Sequence, residues 1–144
     1  MRIIIGSDHA GFALKKQIKQ WLESEGHEVE DVGTDSEESV DYPDFAEKAA
    51  KKVACEEACG VLICGTGMGM CISANKIKGV RAATIHNEFT GRMAKEHNNA
   101  NIVCVGSRVI DFDTAVSAVS AWLSSGFEGG RHERRVNKIM KLEK

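Results

Sequence analysis

Short apolar runs rich in β-branched residues alternate with helical periodicity from one end of the chain to the other. Residues 2–6 carry three consecutive isoleucines and read as a first strand, closed by the polar turn Ser7-Asp8-His9. Leu14, Ile18, Trp21 and Leu22 then recur at helical spacing until Gly26 stops the pattern. Residues 27–32 predict a second strand, and 33–41 are polar and loop-like. Asp44 is a candidate cap for a helix running to about Val53. Residues 60–64, Gly-Val-Leu-Ile-Cys, are continuously apolar, as a strand buried on both faces requires. A helix over 69–76, a strand over 81–85, a helix over 88–96 and a strand over 102–105 follow. Asp111 or Asp113 can cap the next helix, which carries Val116, Val119, Trp122 and Leu123. Residues 130–144 read as a final charged helix.

Strict alternation of strands and helices implies right-handed crossovers and a parallel sheet covered on both sides. The expected fold is α/β, a single domain over 1–144 with a five-stranded sheet. Ligands in such folds sit outside the carboxyl ends of the strands. Those places hold Ser7-Asp8-His9, Gly33-Thr34, Cys64-Gly65-Thr66-Gly67, His86-Asn87 and Gly106-Ser107-Arg108, a polar and small set of residues.

Composition narrows the class of partner. The 144 residues carry a formal net charge of −2, which gives no support for a nucleic-acid or membrane-surface protein. The opening apolar run is too short for a signal peptide, and no stretch reaches transmembrane length. Five cysteines, an odd number, point to reduced thiols and a cytoplasmic location.

Cys64-Gly-Thr-Gly-Met-Gly69 lies between a predicted strand and a predicted helix. Glycines there permit a tight turn and bring backbone N–H groups close to an anion, while the helix N-terminus adds positive potential. Cys64 is either a small buried hydrophobe or, beside that helix start, a thiolate able to act as nucleophile or base. A cysteine phosphatase would close its loop with an arginine, but the position seven after Cys64 is Cys71. A receiver domain would need an aspartate in place of Cys64. A flavin loop would want aromatic residues, and both tryptophans sit at core-like positions.

Among the five histidines, His27 and His132 read as surface residues and His86 ends a strand. His9 follows Asp8 in the first loop, where ligand contact or proton transfer near neutral pH is possible chemistry. His97 opens a polar stretch leading into the last strand. Arg131 and Arg135 lie four apart, on one face of a helix, with Val136 and Met140 opposite. Such a pair is either a solvated face or a bidentate phosphate grip. Arg108 lies just past a strand end. Cys55 and Cys59 are spaced as neighbours on a helix and read as packing residues. Cys71 and Cys104 look structural, and no metal site is expected.

Gly6-Ser-Asp-His-Ala-Gly11, Asp41-Tyr-Pro-Asp44, Cys64 to Gly69, Ala74-Asn-Lys76, His97-Asn98, Gly106-Ser-Arg108 and Gly129-Gly-Arg-His132 occur in order across nearly the whole chain. Together they resemble the ribose-5-phosphate isomerase B family, which includes the galactose-6-phosphate isomerase subunits. The resemblance implies a three-layer, Rossmann-like α/β/α sandwich that interconverts ribose 5-phosphate and ribulose 5-phosphate in the pentose phosphate pathway without cofactor. It implies a homodimer whose sites draw on both subunits, with a tetramer as the larger option. By matched position Cys64 is the base, His97 the ring-opening acid and Thr66 a catalytic companion. Asp8 and His9 contact substrate, and Gly65, Thr66, Gly67, Met68 and Gly69 cradle its reacting end. Asn98, Arg108, Arg131 and Arg135 complete substrate and phosphate binding. Some members use a glutamate further along the loop instead; Met68-Gly69-Met70 here leaves the cysteine version.

Three other readings stay open at this point. One is a six-carbon substrate such as allose 6-phosphate or galactose 6-phosphate. Another is a non-catalytic sugar-phosphate sensor. The third is a thiol-redox protein using Cys64 and Cys71, although the Cys-x-x-Cys arrangement is missing.

Overall fold

A computed structural model describes residues 1–143, leaving only Lys144, the end of the expected last helix, outside the described residues. The elements are β1 (Arg2–Ser7), α1 (Phe12–Ser24), β2 (Glu28–Asp31), α2 (Tyr42–Cys55), β3 (Cys59–Cys64), α3 (Met68–Ala74), β4 (Ala82–Thr84), α4 (Glu88–Glu96), β5 (Ile102–Gly106), α5 (Phe112–Ser124) and α6 (Arg131–Met140). All strand pairings are parallel, in the order β2-β1-β3-β5-β4.

The two-residue period of a strand sorts the core into two layers. Ile3, Ile5, Val61, Ile63, Val103 and Val105 face α1, α4 and α5, where Leu14, Ile18, Leu22, Ala115, Val119 and Trp122 complete one cluster. Ile4, Leu62, Cys64, Ile102 and Cys104 point the other way, onto Ala46, Ala49, Ala50 and Val53 of α2 and Met70 and Ala74 of α3. Continuous apolar character in the central strands is the signature of that double burial. Trp122, the largest buried side chain, satisfies its only polar group by donating Nε1–H to the Ala100 carbonyl at 2.9 Å.

β1 connects outward to β2 on one side, and the chain then returns to place β3 on the other. The sheet therefore has its topological switch between β1 and β3, where the two following loops diverge and leave a crevice. Lys15, only 1% exposed, reaches under this region from α1. Its Nζ donates to Asp31 Oδ1 at 2.7 Å and to the Thr34 carbonyl at 2.6 Å, tying the loop after β2 to the body.

Several local expectations are corrected. Asp44 does not cap α2: the helix starts at Tyr42 with Asp41 as N-cap, and Asp44 lies within the first turn. Pro43 explains the earlier start, since its fixed φ and missing N–H suit a first turn. Cys55 and Cys59 do not share a helix: Cys55 ends α2, exposed, while Cys59 opens β3, buried. Asp111, not Asp113, caps α5 by accepting the Thr114 N–H at 2.9 Å. His132 is not a solvated surface residue but 8% exposed, and His27 is half-buried.

Candidate active site

The β1 and β3 loops meet directly. The Asp8 N–H donates to the Ile63 carbonyl at 3.2 Å, and Asp8 Oδ1 accepts the Gly11 N–H at 3.1 Å, so the Asp8 carboxylate is buried yet held at the crevice. Gly11 has no alternative here, because a Cβ would lie 2.5 Å from the Ile63 carbonyl oxygen. His9 Nδ1 accepts the Val40 N–H at 3.1 Å. That bond leaves Nε2 to carry the ring proton in the neutral tautomer, making it a donor toward a ligand.

Cys64 ends β3 with its side chain 4% exposed. The Gly67 N–H donates to Cys64 Sγ at 3.1 Å. α3 starts at Met68, so its first turn follows directly on this contact. Gly67 has φ +82°, in the left-handed region, so the turn that aims this N–H needs glycine. The loop is clamped from behind by β5. The Ser107 N–H donates to the Cys64 carbonyl at 2.9 Å and the Arg108 N–H to the Gly65 carbonyl at 3.0 Å. Arg108 lays its guanidinium over Gly65, where a Cβ would come 3.1 Å from Nη1. Thr66 and Met68 are exposed on the loop, and Thr66 Oγ1 accepts the Met68 N–H at 3.3 Å.

Tyr42 was not among the expected site residues. Its ring covers Gly69 so closely that a Cβ there would lie 2.5 Å from the ring edge. The sequence carried a signal, since Tyr42 stands in Asp41-Tyr-Pro-Asp44, but no spacing connects that segment to the glycine loop. Nearby, Cys71 on α3 and Cys104 on β5 share the sheet face of Cys64. The Cys71 thiol donates to the Ala82 carbonyl at 3.4 Å; the neighbouring Cys104 thiol lowers the pKa of Cys71, while burial first, then Cys71, raises Cys104.

The remaining expected residues lie elsewhere. His97 is the C-cap of α4, and the segment after it enters β5 at the opposite end of the sheet. There the Gly60 N–H, at the start of β3, donates to the Asn101 carbonyl at 2.9 Å. Cys64 is four residues further along the strand, roughly 13 Å away at the usual rise. Asn98 is exposed beside His97, and Arg131 and Arg135 are exposed on α6. The structure thus brings together Asp8, His9, Cys64, Gly65, Thr66, Gly67, Met68, Gly69 and Arg108 at one end. It gathers His97, Asn98, Arg131 and Arg135 at the other.

At that second end His97 and His132 stack, with ring centroids 4.0 Å apart and planes 11° from parallel. Both Nε2 atoms approach Glu128 Oε1, at 3.6 Å from His97 and 3.4 Å from His132. These three ligand atoms lie within 4.8 Å of one another. A shared metal ion would need ring lone pairs that converge, however, and lone pairs lying in nearly parallel planes do not. Burial, followed by the charges of His97 and Arg131, holds His132 below the ordinary histidine value despite the opposing pull of Glu128.

Comparison with known proteins gives this geometry a family. The profile described as Ribose/Galactose Isomerase matches residues 3–139. The ribose-5-phosphate isomerase B of Escherichia coli is 43% identical over 143 residues, covering 99% of this chain and 96% of the relative. Among solved structures, ribose-5-phosphate isomerase B of Clostridium thermocellum has a TM-score of 0.97 at 50% identity, covering 99% of this chain and 97% of its own. The Mycoplasma genitalium enzyme, solved with bound ribulose-5-phosphate, has a TM-score of 0.95 at 43% identity, with 98% and 95% covered. With its switch-point cysteine, glycine loop and five-stranded parallel sheet, the chain belongs to the ribose/galactose isomerase family.

Proposed function

We propose that this protein interconverts ribose 5-phosphate and ribulose 5-phosphate, with Cys64 as the proton-transferring base. The observation that carries the reading is the Gly67 N–H held 3.1 Å from Cys64 Sγ, inside a glycine loop at the switch-point crevice. A base that moves a proton between adjacent carbons needs a thiolate at the sugar's reacting end and donors for the oxyanion that forms. The loop supplies both from one turn.

In the forward direction ribose 5-phosphate enters as a closed furanose. His97 protonates the ring oxygen as the C1–O4 bond breaks, and the C1 hydroxyl gives its proton to solvent water, leaving an open-chain aldehyde. Cys64 thiolate removes the proton from C2, and the electron pair moves onto the carbonyl oxygen as an enediolate. Backbone N–H groups of residues 65–69 stabilise that charge as an oxyanion hole does, worth about 2.7–4 kcal/mol per donor. A proton passes from the O2 hydroxyl to O1, and Cys64 returns its own proton to C1, leaving C2 as the ketone. Thr66, exposed beside the thiol, and the Nε2–H of His9 orient the sugar hydroxyls, together with Asp8. Arg108, Asn98, Arg131 and Arg135 bind the phosphate end, whose binding energy aligns the reacting carbons.

Because His97, Asn98, Arg131 and Arg135 sit at the far end of the sheet from Cys64, one copy cannot complete this site. We therefore read the active form as a homodimer in which each site combines the Cys64 end of one copy with the His97 end of the other. Met68 and Ile72 on α3, 59% and 64% exposed, supply apolar surface next to the loop for a second copy to cover. No helix among the described residues is long and apolar enough to cross a membrane. The proposed setting is the pentose phosphate pathway in the cytoplasm, with no cofactor.

The test is a panel of pentose and hexose phosphates in deuterated water. Wild type should isomerise ribose 5-phosphate and introduce deuterium at the carbon beside the carbonyl. Cys64→Ala, folded and dimeric, should lose both by a factor on the order of 10²–10⁴. Near-full activity in that variant would remove Cys64 as the base, and preference for a hexose phosphate would replace the substrate.

A further inference from the structure

The stacked pair His97–His132 and the carboxylate between their Nε2 atoms are not explained by packing alone. His97, with 38% of its side chain exposed, has room to turn away from the buried His132, and Glu128 lies on a connecting segment, 51% exposed in its side chain, with room to point elsewhere. It is held in place instead. Its backbone N–H donates to the Glu96 carbonyl at 3.1 Å, fixing the segment against the end of α4. His132 is 8% exposed and cannot swing out of the stack without opening the seat of α6.

We infer that Glu128 and His132 are positioning residues for the ring-opening acid: His132 fixes the plane of the His97 ring, and Glu128 holds its Nε2 side beside a negative charge. The inference rests on the isomerase reading above and adds a division of labour to it. An acid that protonates a ring oxygen must carry a proton and aim it. The Glu128 carboxylate lies 3.6 Å from Nε2, at the edge of the ring turned away from His132's face. A ring stacked at 4.0 Å leaves the imidazole little freedom to rotate. Burial disfavours the charged form of His132, so its ring is better able to offer a neutral π face to His97 than a second like charge. The other charged groups at this end are Glu96 on the helix of His97, 3.9 Å from Arg92, and Arg131 and Arg135 on α6, whose charges act on His132.

The chemistry provides a clean separation. Ribose 5-phosphate must be opened before its C2 proton can be removed. Ribulose 5-phosphate cannot close a five-membered ring, because the oxygen it would use carries the phosphate. Exchange of its C1 proton with solvent deuterium therefore needs Cys64 and the loop but no ring-opening acid. Glu128→Gln, His132→Ala and His132→Phe, the last restoring an aromatic face, should be compared with wild type by NMR, using both sugars across a pH series.

The expected result is that Glu128→Gln and His132→Ala lower turnover of ribose 5-phosphate on the order of ten-fold while C1 exchange of ribulose 5-phosphate is unchanged. His132→Phe should recover part of the loss. Parallel loss of both reactions, or no loss of either, would overturn the positioning role. Absence of any exchange in wild type would overturn the isomerase reading with it, so the two failures are told apart.

Discussion

Gly106→Ala should disable the active site without replacing a residue that contacts substrate. Gly106 ends β5, paired beside Cys64, and it is buried. Its φ lies outside the left-handed region, so alanine adopts the backbone without strain and the effect is steric. The added Cβ would lie 2.6 Å from the Thr66 carbonyl carbon and 2.7 Å from Thr66 Cα, where ordinary contact starts at 3.4 Å. β5 cannot retreat, because its ladder to β3 continues into the Ser107 and Arg108 N–H bonds to the Cys64 and Gly65 carbonyls. The glycine loop has to move outward by about 0.8 Å, and misplacement of that size costs on the order of 10²-fold in rate, or about 2.7 kcal/mol of barrier. Overpacking should also reduce stability by about 1–3 kcal/mol. Gly60→Ala is the matched control. Its Cβ would press on Ile102 Cγ1 at 3.0 Å and Val53 Cγ2 at 3.2 Å, at the other end of β3. It should cost stability but keep kcat. Steady-state kinetics on ribose 5-phosphate and urea unfolding of both variants decide the matter. A folded Gly106→Ala protein with undiminished kcat would refute the reasoning, as would an equal loss of kcat in Gly60→Ala.

Two further outcomes are expected. Lys15→Met keeps the buried volume but removes the ammonium from Asp31, which retains the Gly33 N–H at 2.9 Å, and from the Thr34 carbonyl, so unfolding free energy should fall by about 3 kcal/mol in urea titration. Unchanged stability would mean that water replaces the ammonium there. Burial pushes the Cys59 thiol up to about 11 and also raises Cys104. A raised pKa leaves the unreactive thiol form below it, so at pH 7.5 iodoacetamide should label exposed Cys55 and spare Cys59 and Cys104 until the pH approaches 11 or the fold opens. Mass spectrometry of the alkylated protein reads this directly.

What the sequence alone determined was the order and type of elements and the loops that bear chemistry. Residues 60–64 could only be a doubly buried strand, and a parallel sheet puts whatever follows such a strand at the ligand end. Cys64, the glycine loop, Asp8, His9 and Arg108 were legible for that reason: their placement follows from local periodicity and one topological rule. The start of α2 was misplaced because Asp41 and Asp44 both resemble caps, and only the position of Pro43 in the folded turn separates them. The exposure of His132 was misread because its burial depends on stacking with a residue 35 positions earlier, a contact that periodicity does not encode. The separation of His97, Asn98, Arg131 and Arg135 from Cys64 was likewise a tertiary fact. Local pattern says which face of an element a residue occupies, whereas the end of the sheet it reaches depends on how the whole chain closes around the core. That closure places the Cys64 end and the His97 end of one copy apart.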